Sequence, residues 1–331
     1  MQQIIRAKPP AARSGVAPGP AVRHVVVDEA SAGQRLDNFL AKTLKGAPKS
    51  LIYRIVRSGE VRVNKGRATA DTRLALGDEV RVPPVRLAAR GEQALTPARE
   101  FPVVYEDEHL LAVDKPAGVA VHGGSGVSFG VIEQLRRARP QARMLELVHR
   151  LDKETSGLLL IAKKRSALTA LQDQFRSRET GKTYAALVIG AWPAHKKVID
   201  VPLHKYLTGE GERRVRAVAP GAEEGRRSIT LVQVVQAFAD YTLLDVTIKT
   251  GRTHQIRVHL AHEGHPIVGD DKYGDFALNR AWARGQALAG HRFARMFLHA
   301  RRLRFDHPAT GQPLELESPL PRECAELLQH L

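Results

Sequence analysis

Apolar residues recur with helical spacing near the start of the chain. One set is spaced i, i+3, i+4 and i+8 and predicts a helix with a single apolar face: Leu36, Phe39, Leu40 and Leu44. A second helix is predicted from an N-cap at Ser50 to about Gly59. Residues 60–64 and 79–82 alternate as strands, with a turn at 64–66 after the first. The pattern predicts a small ααββ-like domain.

The pattern changes beyond residue 101. Residues 103–105 and 110–113 predict a hairpin, and further strands are predicted at 158–162, 184–189 and 241–248. Helices are predicted through Phe175 and from about Thr253. Strands and helices without a regular βαβ repeat predict an α+β fold with a mixed, mainly antiparallel sheet. Segments 190–227 and 279–295 are polar, and we expect them to be long mobile excursions.

These patterns divide the 331 residues into four segments. Residues 1–24 are rich in Pro and Ala and contain no acidic residue, so we predict a disordered basic tail. A first domain is predicted at 25–90, a linker at 91–100 and a larger domain at 101–331. Two domains agree with the usual domain size of about 100–200 residues.

The charge is unevenly distributed. The formal net charge is +16, and residues 1–90 hold 17 basic residues against 7 acidic ones. Such a surplus indicates a polyanionic partner, with nucleic acid ahead of a membrane surface. A solvated basic face without a partner stays open at this point. The candidate phosphate contacts are the cations of the predicted helices and turns, foremost Lys49, Arg54, Arg62 and Lys65.

Composition excludes several classes of protein. No apolar run approaches the ~18 residues that a membrane span needs, and the N-terminus has no apolar signal core. A lone cysteine, Cys324, allows no internal disulfide and indicates the cytoplasm. Phosphate-loop, dinucleotide and serine-nucleophile motifs are absent, and the histidines at 254–265 lack a metal-binding order. We therefore predict no cofactor, no metal and no membrane partner, and nothing in the sequence requires more than a monomer.

One polar cluster stands out as candidate chemistry. Residues 149–157 are mostly polar and run directly into an apolar stretch that begins at Leu158. A buried strand fixes such residues while the loop exposes them. Asp152 lies between the cations Arg150 and Lys153, which favour its ionised form. From local chemistry alone, a turn closed by an aspartate–backbone bond explains the cluster equally well.

The N-terminal domain resembles an S4-type RNA-binding domain. The resemblance runs from Gly33 to about Pro84 and is carried by the segments 35–37 (RLD), 49–52 (KSLI) and 59–64 (GEVRVN). It implies that the basic surface of this domain binds RNA.

The second domain resembles the RluA-type family of pseudouridine synthases. Segments 110–118 (LLAVDKPAG), 149–160 (HRLDKETSGLLL), 182–184 (KTY) and 250–259 (TGRTHQIRVH) match its motifs in order, and 269–274 (GDDKYG) follows them. Within that family, segments 46–54 and 62–65 resemble the C-type large-subunit rRNA enzymes more than the D-type ones.

The resemblance implies roles for individual residues. Asp152 would be the nucleophile, with Arg257 as its ion-pair partner. Tyr184 would stack on a flipped uridine and is a candidate base for the C5 proton. Arg150 would fill the vacated stack or contact a phosphate. Four residues are expected to position RNA or support the site: Arg252, His254, His149 and Lys115.

We therefore expect an enzyme that isomerises specific uridines of large-subunit ribosomal RNA. Two alternatives are kept. A non-catalytic S4-type assembly factor would explain the charge but not the joint presence of Asp152, Tyr184 and Arg257. An S4-linked methyltransferase would need a glycine-rich cofactor loop after a first strand, which the sequence lacks.

Overall fold

The computed structural model describes residues 21–44, 46–85, 96–124, 129–209, 212–287 and 290–331. The chain separates into two compact units, Met1–Gln93 and Ala94–Leu331. The predicted linker at 91–100 spans this division, and its first five residues lie outside the described ones, as do residues 1–20 of the predicted tail.

The first unit contains two helices and a four-stranded sheet in its described part. The helices are α1 (Leu36–Thr43) and α2 (Lys49–Arg57). The sheet order is β1-β4-β2-β3, with β1 at Arg23–Val26, β2 at Arg62–Val63, β3 at Gly66–Arg67 and β4 at Glu79–Val82. The apolar faces of both helices pack with β4 in one core, which includes Leu36, Leu40, Ile52, Ile55 and Val80. The helical spacing therefore predicted the buried positions.

Two predictions for this unit were wrong in detail. The second helix begins at Lys49 after Pro48 rather than behind an N-cap at Ser50. Strand β1 was not predicted, and its residues Arg23 and His24 fall in the segment predicted to be a disordered tail. They pair with Val82 and Arg81 of β4. A four-residue strand with three exposed residues carries too little apolar signal to show in the sequence.

The second unit is built on one ten-stranded sheet in its described part, in the order β10-β13-β14-β9-β15-β8-β6-β5, with β7 on β8 and β16 on β15. Only the β15–β8 pair of this sheet is parallel, so the predicted mixed, mainly antiparallel α+β fold is confirmed. The strands of the unit are β5 (Val103–Glu106), β6 (Leu110–Lys115), β7 (Glu146–Leu147), β8 (Ser156–Ala162), β9 (Gly181–Ile189), β10 (Val198–Asp200), β11 (Leu203–Leu207), β12 (Arg213–Ala217), β13 (Ile229–Ala237), β14 (Tyr241–Ile248), β15 (Leu298–Asp306) and β16 (Pro313–Glu317).

Five helices cover this sheet or its edges in the described part: α3 (Val131–Ala138), α4 (Arg165–Ser177), α5 (Gln255–His262), α6 (Phe276–Ala283) and α7 (Arg322–His330). The largest core joins the central strands β9, β14 and β15 to α5, α6 and α7. Helix α5 contains the second half of the segment 250–259 and packs on the sheet. This packing fixes the side chains at the start of the helix.

Both predicted excursions were wrong in their described residues. Segment 190–227 contains β10 and a separate hairpin, β11–β12. Segment 279–295 continues α6, whose Trp282 is fully buried, and it also buries Phe293. Isolated apolar residues among polar ones anchor these segments, namely Trp192, Leu203 and Val215 in the first and Trp282 and Phe293 in the second, and such single anchors produce no periodic signal.

Gly157 allows β8 to approach β15 closely. Its φ is +109°, a conformation that favours glycine, and a Cβ there would lie 2.3 Å from the carbonyl oxygen of Ala300. The approach places the start of β8, and with it the loop that carries Asp152, at the middle of the sheet.

Candidate active site

Asp152 lies in the turn between β7 and β8. The turn is closed by Thr155 N–H, which donates to the Asp152 carbonyl at 3.2 Å. The carboxylate keeps about a quarter of its exposure (24%) and faces a cavity of about 150 Å³. This is smaller than the ~300–1,000 Å³ typical of pockets for larger ligands. The cavity therefore suits one flipped base better than a large cofactor.

Arg257 supplies the buried positive charge of the cavity. Its guanidinium is 3% exposed, and Nη1 lies 4.0 Å from Asp152 Oδ2. Behind it, Nε and Nη2 donate to the two carboxylate oxygens of Asp270 at 2.7 and 2.6 Å. Burial alone would lower the pKa of Arg257, but its bonds and charge interaction with Asp270 raise it. Asp270 thus holds the guanidinium through Nε and Nη2, and Nη1 is directed toward Asp152.

Asp270 is a residue that the sequence analysis did not assign. Its carboxylate is 1% exposed and also accepts the backbone N–H groups of Lys272 and Tyr273. Burial raises its pKa, but the bonds and charge of Arg257 lower the pKa below its ordinary value overall. The available signal was the pair of adjacent acids in 269–274, which no pattern in the sequence connects with Arg257.

His254 approaches Asp152 from a second side. Its Nε2 lies 3.9 Å from Asp152 Oδ2, and its Nδ1 lies 2.8 Å from the hydroxyl of Tyr273. Burial lowers the pKa of His254, so the ring is neutral at pH 7. Its φ of +51° is unusual for a residue other than glycine, and such backbone strain clusters at functional sites.

Tyr184 forms the apolar wall of the cavity from β9. Burial and the charge of Asp152 both raise the pKa of its hydroxyl well above the ordinary value, so the phenol stays protonated at neutral pH. The surroundings favour a role for the ring in stacking over a role for the phenolate as a base.

The cavity brings together six of the eight residues to which the sequence analysis gave a role in the second domain: Arg150, Asp152, Tyr184, Arg252, His254 and Arg257. Arg150 and Arg252 are exposed at its rim. The Nε of Arg252 donates to the Arg227 carbonyl at 3.3 Å, which orders the loop before α5. Gln255, also not assigned from sequence, anchors the same loop through Thr250 and the backbone of Arg252.

Two supporting residues hold the motifs next to Asp152. Lys115 is fully buried and donates to the carbonyls of Pro116, Val119 and Lys153. Burial lowers its pKa to about 7. Nε2 of His149 accepts the N–H of Leu160 at 3.1 Å. Burial lowers the pKa of His149 to about 4, which keeps this acceptor neutral.

The four residues predicted for the first unit lie on its surface. Lys49, Arg54 and Lys65 are exposed, whereas Arg62 is half-buried and donates from Nε to the Gly59 carbonyl. Arg62 and Lys65 line a common groove with Arg81. Within the described part of the chain, no three metal-ligating side chains form a cluster, and no helix is long and apolar enough to cross a membrane.

Comparison with known proteins agrees with this geometry. The model of the RNA pseudouridylate synthase family matches residues 109–262, and that of the S4 domain matches residues 34–80. The chain is 50% identical to "Ribosomal large subunit pseudouridine synthase C" of Escherichia coli K12, over 94% of this chain and 97% of the relative. The corresponding protein of Vibrio vulnificus is 48% identical, over 94% and 96%. The chain belongs to the RNA pseudouridylate synthase family.

Solved structures of this family share the fold. Human RNA pseudouridylate synthase domain containing 4 is 26% identical with a TM-score of 0.56, covering 69% of this chain and 92% of that one. Human RNA pseudouridylate synthase domain containing 1 is 27% identical with a TM-score of 0.54, covering 67% and 84%. The synthase is therefore an RNA-modifying enzyme with an N-terminal S4 domain, and the alternatives of a non-catalytic assembly factor and a methyltransferase are set aside.

Proposed function

We propose that this chain isomerises specific uridines of large-subunit ribosomal RNA to pseudouridine, with Asp152 as the nucleophile. The observation that carries the catalytic assignment is the Asp152 carboxylate, 4.0 Å from a buried arginine in a cavity lined by Tyr184. The substrate assignment is supported by relatives about 50% identical over nearly the full chain, which are named as large-subunit synthases.

The reaction needs a group that can attack and then leave. The C1′–N1 bond breaks, the base turns, a C1′–C5 bond forms, C5 loses its proton and N1 gains one, so no net oxidation occurs. A carboxylate suits such a step because it can bond to the substrate and be released again. The Arg257 guanidinium does not titrate at neutral pH, so it presents a permanent positive charge 4.0 Å from the Asp152 carboxylate.

The substrate base must leave its stack to reach Asp152, at a cost of a few kcal/mol. Tyr184 offers an aromatic wall against which the uracil ring can stack. Arg150, exposed at the rim, is placed to fill the vacated position or to bind a phosphate, and Arg252 and His254 hold the RNA and the loop. Tyr184 can take the C5 proton only if its hydroxyl passes its own proton on, and N1, which gains a proton in the reaction, is the acceptor that balances the step.

The two units divide the task in this proposal. The S4-type domain, whose sheet includes β1 from Arg23, is preceded by a basic segment. The domain binds RNA phosphates through cations that include Lys49, Arg54, Arg62 and Lys65. The segment 91–100 links it to the catalytic domain at 101–331. The reaction is proposed to proceed in the cytoplasm, on a monomer and without a cofactor.

Replacement of Asp152 by Asn tests the chemistry. The neutral amide cannot act as nucleophile, so turnover should fall by about 10³-fold or more while RNA binding stays within about twofold. Arg176→Gln, at an exposed position of α4 that does not line the cavity, is the control and should keep normal turnover. The readout is pseudouridine mapping of large-subunit rRNA from cells that lack the gene and carry either variant. Appreciable modification by Asp152→Asn contradicts the nucleophile assignment, and unchanged rRNA in cells without the gene contradicts the substrate.

A further inference from the structure

The β11–β12 hairpin is attached to the residues that line the catalytic cavity. Val215 N–H donates to the Tyr273 hydroxyl at 3.0 Å, and this hydroxyl lies 2.8 Å from His254 Nδ1. Leu203 and Val215 are buried in an apolar cluster with Val258 of α5. One face of the hairpin is therefore used to hold it beside the cavity.

Ion pairs reinforce the attachment. Glu212 bonds Lys272 and, at 3.0 Å, Arg214 Nε. These bonds lower the pKa of Glu212 to about 2, so it stays ionised and its charge is fully matched by the two cations. Arg214 Nη1 also donates to the Lys272 carbonyl at 3.4 Å. The hairpin is thereby fixed to the loop that carries Asp270.

On the opposite face, Arg214 forms the bonds described above and His204 Nδ1 lies 3.2 Å from the Glu224 carbonyl, whereas Tyr206 and Arg216 have no such bond within the described part of the chain. The register pairs His204 with Arg216 and Tyr206 with Arg214, so side chains of these four residues share the face opposite Val215. Arg216 Cζ lies 5.6 Å from the centre of the Tyr206 ring, and the ring of His204 is parallel to that of Tyr206 at 6.4 Å. The combination is an aromatic ring with two further planar groups beside it.

One exposed cation on this face has no partner among the described residues. Arg216 is exposed and forms no ion pair with another described residue, whereas the exposed Lys205 and Arg213 share the face of Val215. Planar aromatic and guanidinium groups stack with nucleic acid bases irrespective of sequence, and free cations next to them bind phosphates. An acidic peptide would use the cations but would leave the aromatic ring without a partner.

We propose that this outer face of the hairpin, formed by His204, Tyr206 and Arg216, docks a single-stranded RNA nucleotide that flanks the target uridine. The base stacks on Tyr206, and a neighbouring phosphate binds Arg216. The inference rests on the proposed function, because the RNA that enters the cavity is the strand that reaches the hairpin. Through Tyr273, the docked strand is held in a fixed position relative to His254 and Asp152.

The test compares the Tyr206→Ala and Arg216→Gln variants of the full-length protein with wild type, on an unmodified RNA stem–loop that contains a target uridine. Each should raise KM and the directly measured RNA dissociation constant by about 5- to 10-fold, with kcat within about twofold. Arg216→Gln should also flatten the dependence of log K on log salt by about 0.7, the value for one phosphate that is no longer neutralised on a single strand. Tyr206→Phe, which keeps the ring, should behave as wild type.

Arg322→Gln is the matched control, since Arg322 is an exposed arginine on α7 that does not line the cavity. It should leave KM and the salt dependence unchanged. A loss confined to kcat, or an unchanged dissociation constant in a variant whose thermal unfolding matches wild type, overturns the docking proposal. Binding measured in the Asp152→Asn background separates the two proposals, because it reports on the hairpin even if the assigned nucleophile is wrong.

Discussion

One guanidinium determines the electrostatics of the cavity. Arg257 is almost fully buried, and a lone buried cation would be strongly unfavourable. Asp270 matches its charge on one edge, which leaves Nη1 directed at Asp152. Because Asp270 also accepts two backbone N–H groups, the position of the guanidinium is coupled to the loop 269–274. The carboxylate proposed to react is therefore placed opposite a charge that is itself held rigidly.

Asp270→Asn should weaken both this placement and the fold. Loss of one charge from a buried pair leaves the other uncompensated, and we expect a decrease of about 3 kcal/mol in the free energy of unfolding. Misplacement of the guanidinium should lower kcat by about 10- to 100-fold with a smaller change in KM. The measurements are denaturant unfolding and single-turnover kinetics at a temperature at which the variant is folded.

Asp271→Asn is the control for that experiment. Asp271 also contacts Arg257 Nη2, at 2.9 Å, but its side chain is 60% exposed. Exposed pairs contribute little, so stability should change by less than about 1 kcal/mol and kcat by less than about twofold. If both variants behaved alike, the buried bonds of Asp270 would not be what positions Arg257.

At the scale of elements, the β5–β6 hairpin depends on one carboxylate. Asp107 Oδ1 accepts the N–H groups of His109 and Leu110 at 2.7 and 2.8 Å, and Oδ2 lies 2.6 Å from His307 Nε2. Burial raises the pKa of Asp107, but these bonds and that of Tyr105 outweigh it and lower the pKa to about 2. The ionised carboxylate thus closes the turn and ties it to the end of β15.

This depressed pKa predicts how stability depends on pH. The stabilisation is fully present above the ordinary aspartate pKa of about 3.9 and is lost as pH falls toward the folded value of about 2. Asp107→Asn should therefore be less stable than wild type at pH 6, and the difference should shrink between about pH 4 and pH 2. Denaturant unfolding across this range measures it.

Glu108→Gln serves as the control at the adjacent position, where the side chain is 84% exposed. Its difference from wild type should stay small at every pH. A deficit of Asp107→Asn that stayed constant down to pH 2 would show that shape, and not ionisation, accounts for its role.

At the scale of the whole molecule, charge and chemistry lie in separate units. The cations at Lys49, Arg54, Arg62 and Lys65 belong to the unit Met1–Gln93, whereas the cavity belongs to Ala94–Leu331. Binding driven by phosphate neutralisation depends on salt, and an isomerisation step in a closed cavity does not. Affinity and turnover should therefore respond to different substitutions.

Replacement of these four cations by Gln should weaken RNA binding and flatten the slope of log K against log salt by about 0.7–0.9 for each phosphate that is no longer neutralised. The rate at saturating RNA should stay within about twofold. Filter binding at several salt concentrations and single-turnover kinetics provide the two readouts. The double variant Arg176→Gln/Arg322→Gln, on exposed faces of α4 and α7, controls for charge in general. An unchanged slope of log K against log salt would show that these cations of the S4 unit do not bind RNA phosphates.

Much of this molecule follows from short-range patterns. Spacing of Leu36, Phe39 and Leu40 predicted a helix and its buried face, and the apolar run in 158–162 predicted a central strand. Ordered motifs predicted six side chains that the fold brings to one cavity. Strand β1, the β11–β12 hairpin and α6 were missed because each is stabilised by contacts with distant segments and not by its own periodicity.

The sequence by itself determined the elements with a clear apolar period, the surplus of charge in the first unit and the residue types needed for the reaction, since these depend on neighbours along the chain. Tertiary structure alone decided that Asp270 pairs with Arg257, that Tyr273 joins His254 to Val215, and that burial and the charge of Asp152 raise the pKa of Tyr184. Pairing and burial of charges depend on which distant strands and loops meet. Packing of the entire sheet against α5 and the loop 269–274 sets those distances, and no local pattern encodes them.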